Sequence, residues 1–225
     1  MRAYHNDPGL KSKLLADLQA HADADRLVKG QYWESGKGCA VGCTLHSVGA
    51  DGAASNHKEY ETRLGIPQIL ARLEDTIFEG LPNADAMRWP VRFSAAIAPG
   101  ADLSRVAWKW LHWLLTDGLP RVNDAAVTAA IKQCADVLLP LMRGEPVDRA
   151  AAHAAADAAK AAYATAHAAY ATRAAAYAAA EAAKAAADAD RAVRAAAHAA
   201  AHAAVDAATY QRMAGKLVQL LEDAK

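Results

Sequence analysis

The chain has no surplus of charge of either sign: 25 Lys and Arg stand against 25 Asp and Glu over 225 residues. Nucleic-acid binders commonly carry a basic surplus or stripe, so the balance argues against that class of partner. An apolar N-terminal run is also missing. Met1-Arg2-Ala3-Tyr4-His5-Asn6-Asp7-Pro8 cannot serve as a secretory signal. No stretch approaches the roughly 18 consecutive strongly apolar residues of a spanning helix, so no membrane partner is expected. Cysteine is scarce. Three residues, an odd count without a secretory signal, point to reduced thiols in a cytosol. Valine and isoleucine nowhere alternate over a strand length, which excludes a strand-rich fold. No motif calls for a cofactor.

What is present in excess is alanine. Residues 149–208 are mostly alanine, and no glycine or proline divides the chain between Val147 and Ala214. Alanine has the highest helix propensity, so this region is expected to be helical almost irrespective of context. The large residues recur at steps of three and four. One register, Tyr163, Tyr170, Tyr177, Lys184, Arg191, His198 and Val205, advances by seven. Such spacing places one decorated stripe along a helix and leaves methyl groups elsewhere, and a charged stripe ordinarily faces water. A single helix of ~60 residues would be ~90 Å long, so a hairpin of two long helices is expected. The best internal break is Asp188-Ala189-Asp190. Alanine faces let helix axes approach to the ~8 Å end of the packing range. Ice binding is set aside, because Thr165, Thr172 and Thr209 are too few to make a face.

The rest of the chain also reads helical. Asp7-Pro8 is an N-cap followed by proline at the first helical position, and Leu10, Leu14, Leu15, Leu18, Ala22 and Leu27 form an apolar face up to Gly30. Ile66-Pro67 opens a helix with Ile69, Leu70, Leu73, Ile77 and Phe78 inside. Further helices are expected near Asn83, after Pro90, and from Asp102 or Ser104 to Asp117-Gly118. Another is capped at Asn123-Asp124 and ends near Arg143-Gly144. Trp110, Trp113 and Leu114 read as core, leaving Trp108 or His112 outward. Glu74 and Asp75 could be paired carboxylates, but Arg72 offers an ordinary ion pair. Met213, Leu217, Leu220 and Leu221 make a closing apolar stripe. The expected fold is all-α and forms one compact domain. Residues 1–146 supply a helical body with a glycine- and cysteine-rich segment, and residues 147–225 an alanine-rich helical region packing on it.

Residues 30–52 hold the most unusual local chemistry. The string Gly38-Cys39-Ala40-Val41-Gly42-Cys43-Thr44-Leu45-His46 is followed later by Leu73-Glu74-Asp75-Thr76-Ile77-Phe78-Glu79-Gly80-Leu81-Pro82-Asn83. Together with the alanine-rich C-terminal region and Gly100-Ala101-Asp102-Leu103-Ser104, these resemble uncharacterised proteins of bacteriophages and bacterial genomes. The resemblance covers most of the chain and carries no established activity. It implies an intracellular accessory product, located in the bacterial host cytosol.

Three functional readings of this segment compete with simple close packing of small residues. A helix starting near Gly38 would put Cys39 and Cys43 on one face with His46 a turn beyond. With His57 as a fourth ligand, the set could hold zinc. Alternatively, Cys39 at a helix N-terminus beside Lys37 could be an activated nucleophile, with His46 or His57 as its base. Thirdly, Gly36, Gly38 and Gly42 could bring backbone N–H groups to an anion, with Lys37 adding charge. The string lacks the spacing of a Walker loop.

The reading that joins these features is a non-enzymatic binding protein for a small anionic ligand, such as a nucleotide signal used in host defence. Its contacts are expected at Tyr32, Trp33, Lys37, Gly38, Thr44, His46 and His57. The enzyme-class alternative is a cysteine-dependent hydrolase or transferase using Cys39 or Cys43, with His46 a further catalytic candidate. The structural-class alternative is a helical scaffold or inhibitor that binds a host protein, or self-associates, through the alanine-rich helices.

Overall fold

The computed structural model describes residues 1–50, 55–118, 124–165, 170–187, 195, 198–199 and 206–225; for 163–165 and 170–173 only the backbone is described. The fold is all-α, with a single two-stranded hairpin among the described residues. The chain divides into two compact units, Met1–Ser104 with Ala214–Lys225, and Arg105–Met213.

In the first unit, α1 (Pro8–Asp23) begins as the sequence indicates: the Asp7 carboxylate accepts the Gly9 amide at 2.7 Å and proline occupies the first turn. Leu14, Leu18 and His21 lie one turn apart on the buried face. The helix ends before Leu27, which instead pairs in parallel with Gly38. The next segment is a hairpin the sequence reading did not anticipate, β1 (Trp33–Glu34) against β2 (Lys37–Gly38), with Trp33 opposite Gly38. Its turn residues Ser35 and Gly36 both have positive φ, 52° and 78°. That pattern suits the tight turn whose twist matches the flanking strands.

Helix α2 (Ala40–Ser47) follows and packs against α1 and against α4 (Gln68–Gly80) and α6 (Trp89–Ala96). Between them lie α3 (Glu59–Leu64), which ends at the left-handed Gly65, and the short α5 (Asn83–Ala86). Leu70, Leu73, Ile77 and Phe78 of α4 are fully buried, together with Tyr60, Trp89 and Phe93. Fully burying an aliphatic or aromatic side chain stabilises by about 1.5–3 kcal/mol, so this cluster dominates the unit. Leu217 and Leu221, near the C-terminus, are also fully buried.

The second unit contains α7 (Val106–Trp113), α8 (Ala125–Asp136), α9 (Leu139–Arg143), α10 (Arg149–Thr165) and α11 (Tyr170–Ala187). α12 (Ala207–Glu222) has its first residues in this unit. Trp110 is the aromatic core and donates its indole N–H to the Met213 carbonyl at 3.1 Å; Trp108, His112 and Trp113 are half-buried. Asp124 caps α8 through the amides of Ala126 and Val127. Asn123 lies outside the described residues.

Among the described residues, the alanine-rich region includes the helices α10 and α11, packed on one another and on α8. The Asp188-Ala189-Asp190 break expected from sequence lies outside the described residues. So do His167, Arg191, His202 and Val205. Within α11 the decorated stripe is not simply a wetted face. Glu181 is 5% exposed and pairs with Lys184, whose ammonium lies 6.0 Å from the Tyr177 ring centre. Alanine on both flanks brings neighbouring backbones so close that the intervening side chains are enclosed.

One stretch, Ala125–Arg143, is by length and composition long and apolar enough to cross a membrane, with mean hydropathy 1.4, although only 28% of it is buried in the fold. Its alanines raise the hydropathy of a segment that carries Lys132 and Asp136 and divides into α8 and α9 around Val137 and Leu138.

Candidate functional site

The glycines of the Gly38–Gly42 string serve packing. A Cβ on Gly38 would stand 1.9 Å from the Tyr32 carbonyl oxygen, and one on Gly42 would stand 1.4 Å from it. The amides just ahead of α2 are already engaged: Gly38 donates to Arg26 at 2.9 Å and Cys39 to Gln31 at 2.7 Å. Lys37 is exposed at the hairpin turn. Where the sequence suggests an anion cradle from Gly36, Gly38 and Gly42 with Lys37, α2 crosses tightly under the 31–33 backbone.

That crossing shapes a cavity of about 340 Å³, lined by Gly30, Gln31, Tyr32, Cys39, Asp75 and Glu79. The residues before β1 form one wall, the N-cap of α2 the floor, and α4 the other wall. Asp75 and Glu79, four apart on α4, share a face of that helix. Asp75 is held from behind. The His57 ring, fully buried, places Nε2 3.0 Å from Asp75 Oδ2 and Nδ1 3.1 Å from the Ser55 carbonyl. Both ring nitrogens thus face acceptor oxygens. The Tyr32 hydroxyl lies 3.5 Å from the same Oδ2. Glu79 accepts the Gly30 amide through both oxygens, at 3.0 and 3.1 Å.

Burial, and then the charge of Asp75, hold the Cys39 thiol far above the ordinary thiol value. Amides of Val41 and Gly42 favour its thiolate but are outweighed. Burial also pushes Cys43 up to about 12, and its thiol donates to the Gly38 carbonyl at 3.4 Å. Neither thiol has the depressed pKa of an activated nucleophile. His57 is bound to Asp75 and Ser55, so it is not placed as the base of Cys39. Burial raises Glu79 as well, with Asp75 adding to the effect against the Gly30 amide and Lys29.

Beneath this cavity lies a carboxylic acid in the core. Glu74 is fully buried and accepts the Tyr60 hydroxyl at 2.7 Å, while its Oε1 has no partner. Burial pushes it up to about 8, so it is largely protonated at neutral pH. The ion pair expected between Arg72 and this pair of carboxylates is replaced by an interaction of Arg72 with Tyr32, and Arg72 Nε has no partner.

A second cavity, about 300 Å³, is lined by Lys13, Asp17, Ala20, His21, Arg26, His46 and Ser47. Lys13 bridges the Asp17 carboxylate at 2.7 Å and the Ser47 carbonyl at 3.1 Å. His46 stacks on Trp33 with ring centres 4.0 Å apart, and His21 meets both edge-on at 5.5 and 5.4 Å. His21 is 5% exposed and its Nδ1 has no hydrogen-bond partner. Burial, then the proximity of His46 and Arg26, hold its pKa below the ordinary histidine value.

The residues singled out in sequence thus separate. Tyr32 and Cys39 line the first cavity, with His57 behind it. His46 lines the second, with Trp33 stacked on it. Cys43 and Thr44 are buried, the Thr44 hydroxyl without a partner. The four ligands Cys39, Cys43, His46 and His57 do not converge on a common point. Among the described residues, the group that does is Cys39, Asp75 and Glu79, whose ligand atoms lie within 4.8 Å of one another. Glu79, Lys13, His21 and Arg26 were missed as site residues, and Asp75 was singled out only as a partner of Glu74. The signals were a histidine in the apolar phase of α1 and an acidic i,i+4 pair on α4.

Compared with known proteins, the chain matches no family model, no curated protein and no solved structure.

Proposed function

We propose that the protein is a small-ligand binding protein that captures an anion of the nucleotide class in the cavity between α1 and α2. The lining carries this reading: Lys13, Arg26, His21 and His46 surround the space, with Asp17 as the lining carboxylate and Lys13 already paired to it. The Lys13 ammonium and Arg26 guanidinium recognise phosphate through charge-assisted hydrogen bonds, and the His21 and His46 rings add hydrogen-bonding nitrogens. The Trp33–His46 stack beside them supplies the aromatic surface that a base requires. In this reading, the setting is sequestration of a nucleotide signal used in host defence. The anion sits away from the Gly36–Gly38 turn.

Calorimetry with a panel of nucleotides and inorganic phosphate tests the reading. A hydrogen bond to a charged group contributes about 1.5–3 kcal/mol, so Arg26→Ala should weaken binding roughly 10- to 100-fold. Lys37→Ala should leave affinity unchanged. If no nucleotide or phosphate binds at millimolar concentration, or if Lys37→Ala matches Arg26→Ala, the proposal fails.

A further inference from the structure

We propose that Cys39, Asp75 and Glu79 form a site for one divalent transition-metal ion of the zinc class, open to solvent on the cavity side. The donor set is the first argument. One sulfur and two carboxylates, drawn from the start of α2 and from successive turns of α4, bring their ligand atoms within 4.8 Å of one another. Around a tetrahedral ion with Zn–S of about 2.3 Å and Zn–O of about 2.0–2.2 Å, ligand atoms stand roughly 3–4 Å apart. Small side-chain rotations close that difference.

The surroundings are the second argument. Metal-bound carboxylates are oriented by outer hydrogen bonds, and both carboxylates here already have them. The His57 ring holds Asp75 at 3.0 Å, and the Gly30 amide holds Glu79. Burial is graded along the path of entry. Glu79 stands exposed at the mouth, Asp75 is half-buried, and Cys39 is 2% exposed at the floor. The cavity admits an ion together with coordinated water.

Charge is the third. Three groups that are anionic as ligands converge, with the His57 ring paired to Asp75 from behind and the ammonium and guanidinium nearby engaged elsewhere. Lys29 bonds the Leu81 carbonyl, and Arg72 acts on Tyr32. A divalent cation resolves that crowding, and sulfur among the donors selects the zinc class over magnesium or calcium. Three protein ligands leave a fourth position facing Gln31 and Tyr32, the arrangement of zinc sites that keep a water or exchangeable ligand.

The site shares no residue with the anion cavity, so failure of either proposal leaves the other standing. The test uses chelator-treated full-length protein titrated with Zn²⁺ alone by calorimetry and with Co²⁺ alone by absorption. One tight equivalent per chain is expected, with a sulfur-to-cobalt charge-transfer band. Glu79→Gln, a surface change that leaves the fold intact, should weaken binding at least tenfold, as should Asp75→Asn. Cys39→Ser should abolish the band, and Cys43→Ser should retain both binding and band. Absence of stoichiometric binding overturns the site. So does binding unchanged in Glu79→Gln and Asp75→Asn, which would place the ion on ligands elsewhere. A band that disappears in Cys43→Ser instead of Cys39→Ser also overturns it.

Discussion

The two units exclude water by opposite means. The first packs large, irregular side chains, Tyr4, Tyr60, Phe78, Trp89 and Phe93, among helices shorter than α10 and α11. The long helices of the second pack through methyl groups: Ala152, Ala155, Ala156 and Ala159 of α10, and nearly every alanine of α11 from Ala174 to Ala187. A buried methyl contributes only about 0.8 kcal/mol, so α10 and α11 depend on propensity and on close backbone approach. Irregular packing leaves clefts and can enclose polar groups such as Glu74, His57 and His21. Close-packed alanine holds helices together with little side-chain chemistry. The candidate sites lie in the first unit for this reason.

The contrast can be broken from either side. Truncation should damage the first unit most: Phe78→Ala removes a fully buried ring and should cost about 3–5 kcal/mol, measured by denaturant unfolding. Next in size is a pH effect peculiar to that unit. Glu74, pushed up to about 8 from the ordinary 4.5, binds its proton more tightly folded than unfolded. Its contribution is fully present below pH 4.5, declines as the pH rises, and is lost above pH 8. Unfolding free energy should fall by several kcal/mol across that window, and Glu74→Gln should flatten the slope. A slope unchanged in Glu74→Gln would show that another group titrates.

The second unit should respond to enlargement. Ala179→Leu places three extra carbons where α11 meets its neighbours and should destabilise by about 1–3 kcal/mol, against a smaller effect of Ala179→Gly, about 1 kcal/mol from lost propensity. A larger loss in Ala179→Gly than in Ala179→Leu would mean that close approach does not hold these helices. The smallest effect is expected at the surface. Lys132→Ala removes an i,i+4 pair with Asp136 whose side chains are 75% and 51% exposed, and should shift stability by only about 0.3–0.5 kcal/mol.

Local rules made much of the fold legible. The Asp7-Pro8 start, the α4 periodicity ending at Phe78, the Asp124 cap and the helical nature of the alanine region all depend on residues within a turn or two. The Trp33–Gly38 hairpin escaped because two-residue strands show no alternation, although Ser35-Gly36 is a turn dipeptide. At the site, Tyr32, Trp33, Cys39, His46 and His57 were picked out by residue type. Their sorting into two cavities was not legible, because it follows from the crossing of α2 beneath the Tyr32 carbonyl. Glu74 was misjudged since a carboxylate is assumed to seek water or a cation. Here it lies in the apolar phase of α4 and keeps its proton instead.

That crossing has a thermodynamic consequence. Tyr32, in the bend just before β1, fronts one cavity, while its neighbour Trp33 stacks against the histidine of the other. The 31–33 backbone is a partition one residue thick, seated on Gly42 with no space to recede. An occupant that displaces it on one side alters the fit on the other. By linkage, each ligand then changes the other's affinity by the same factor.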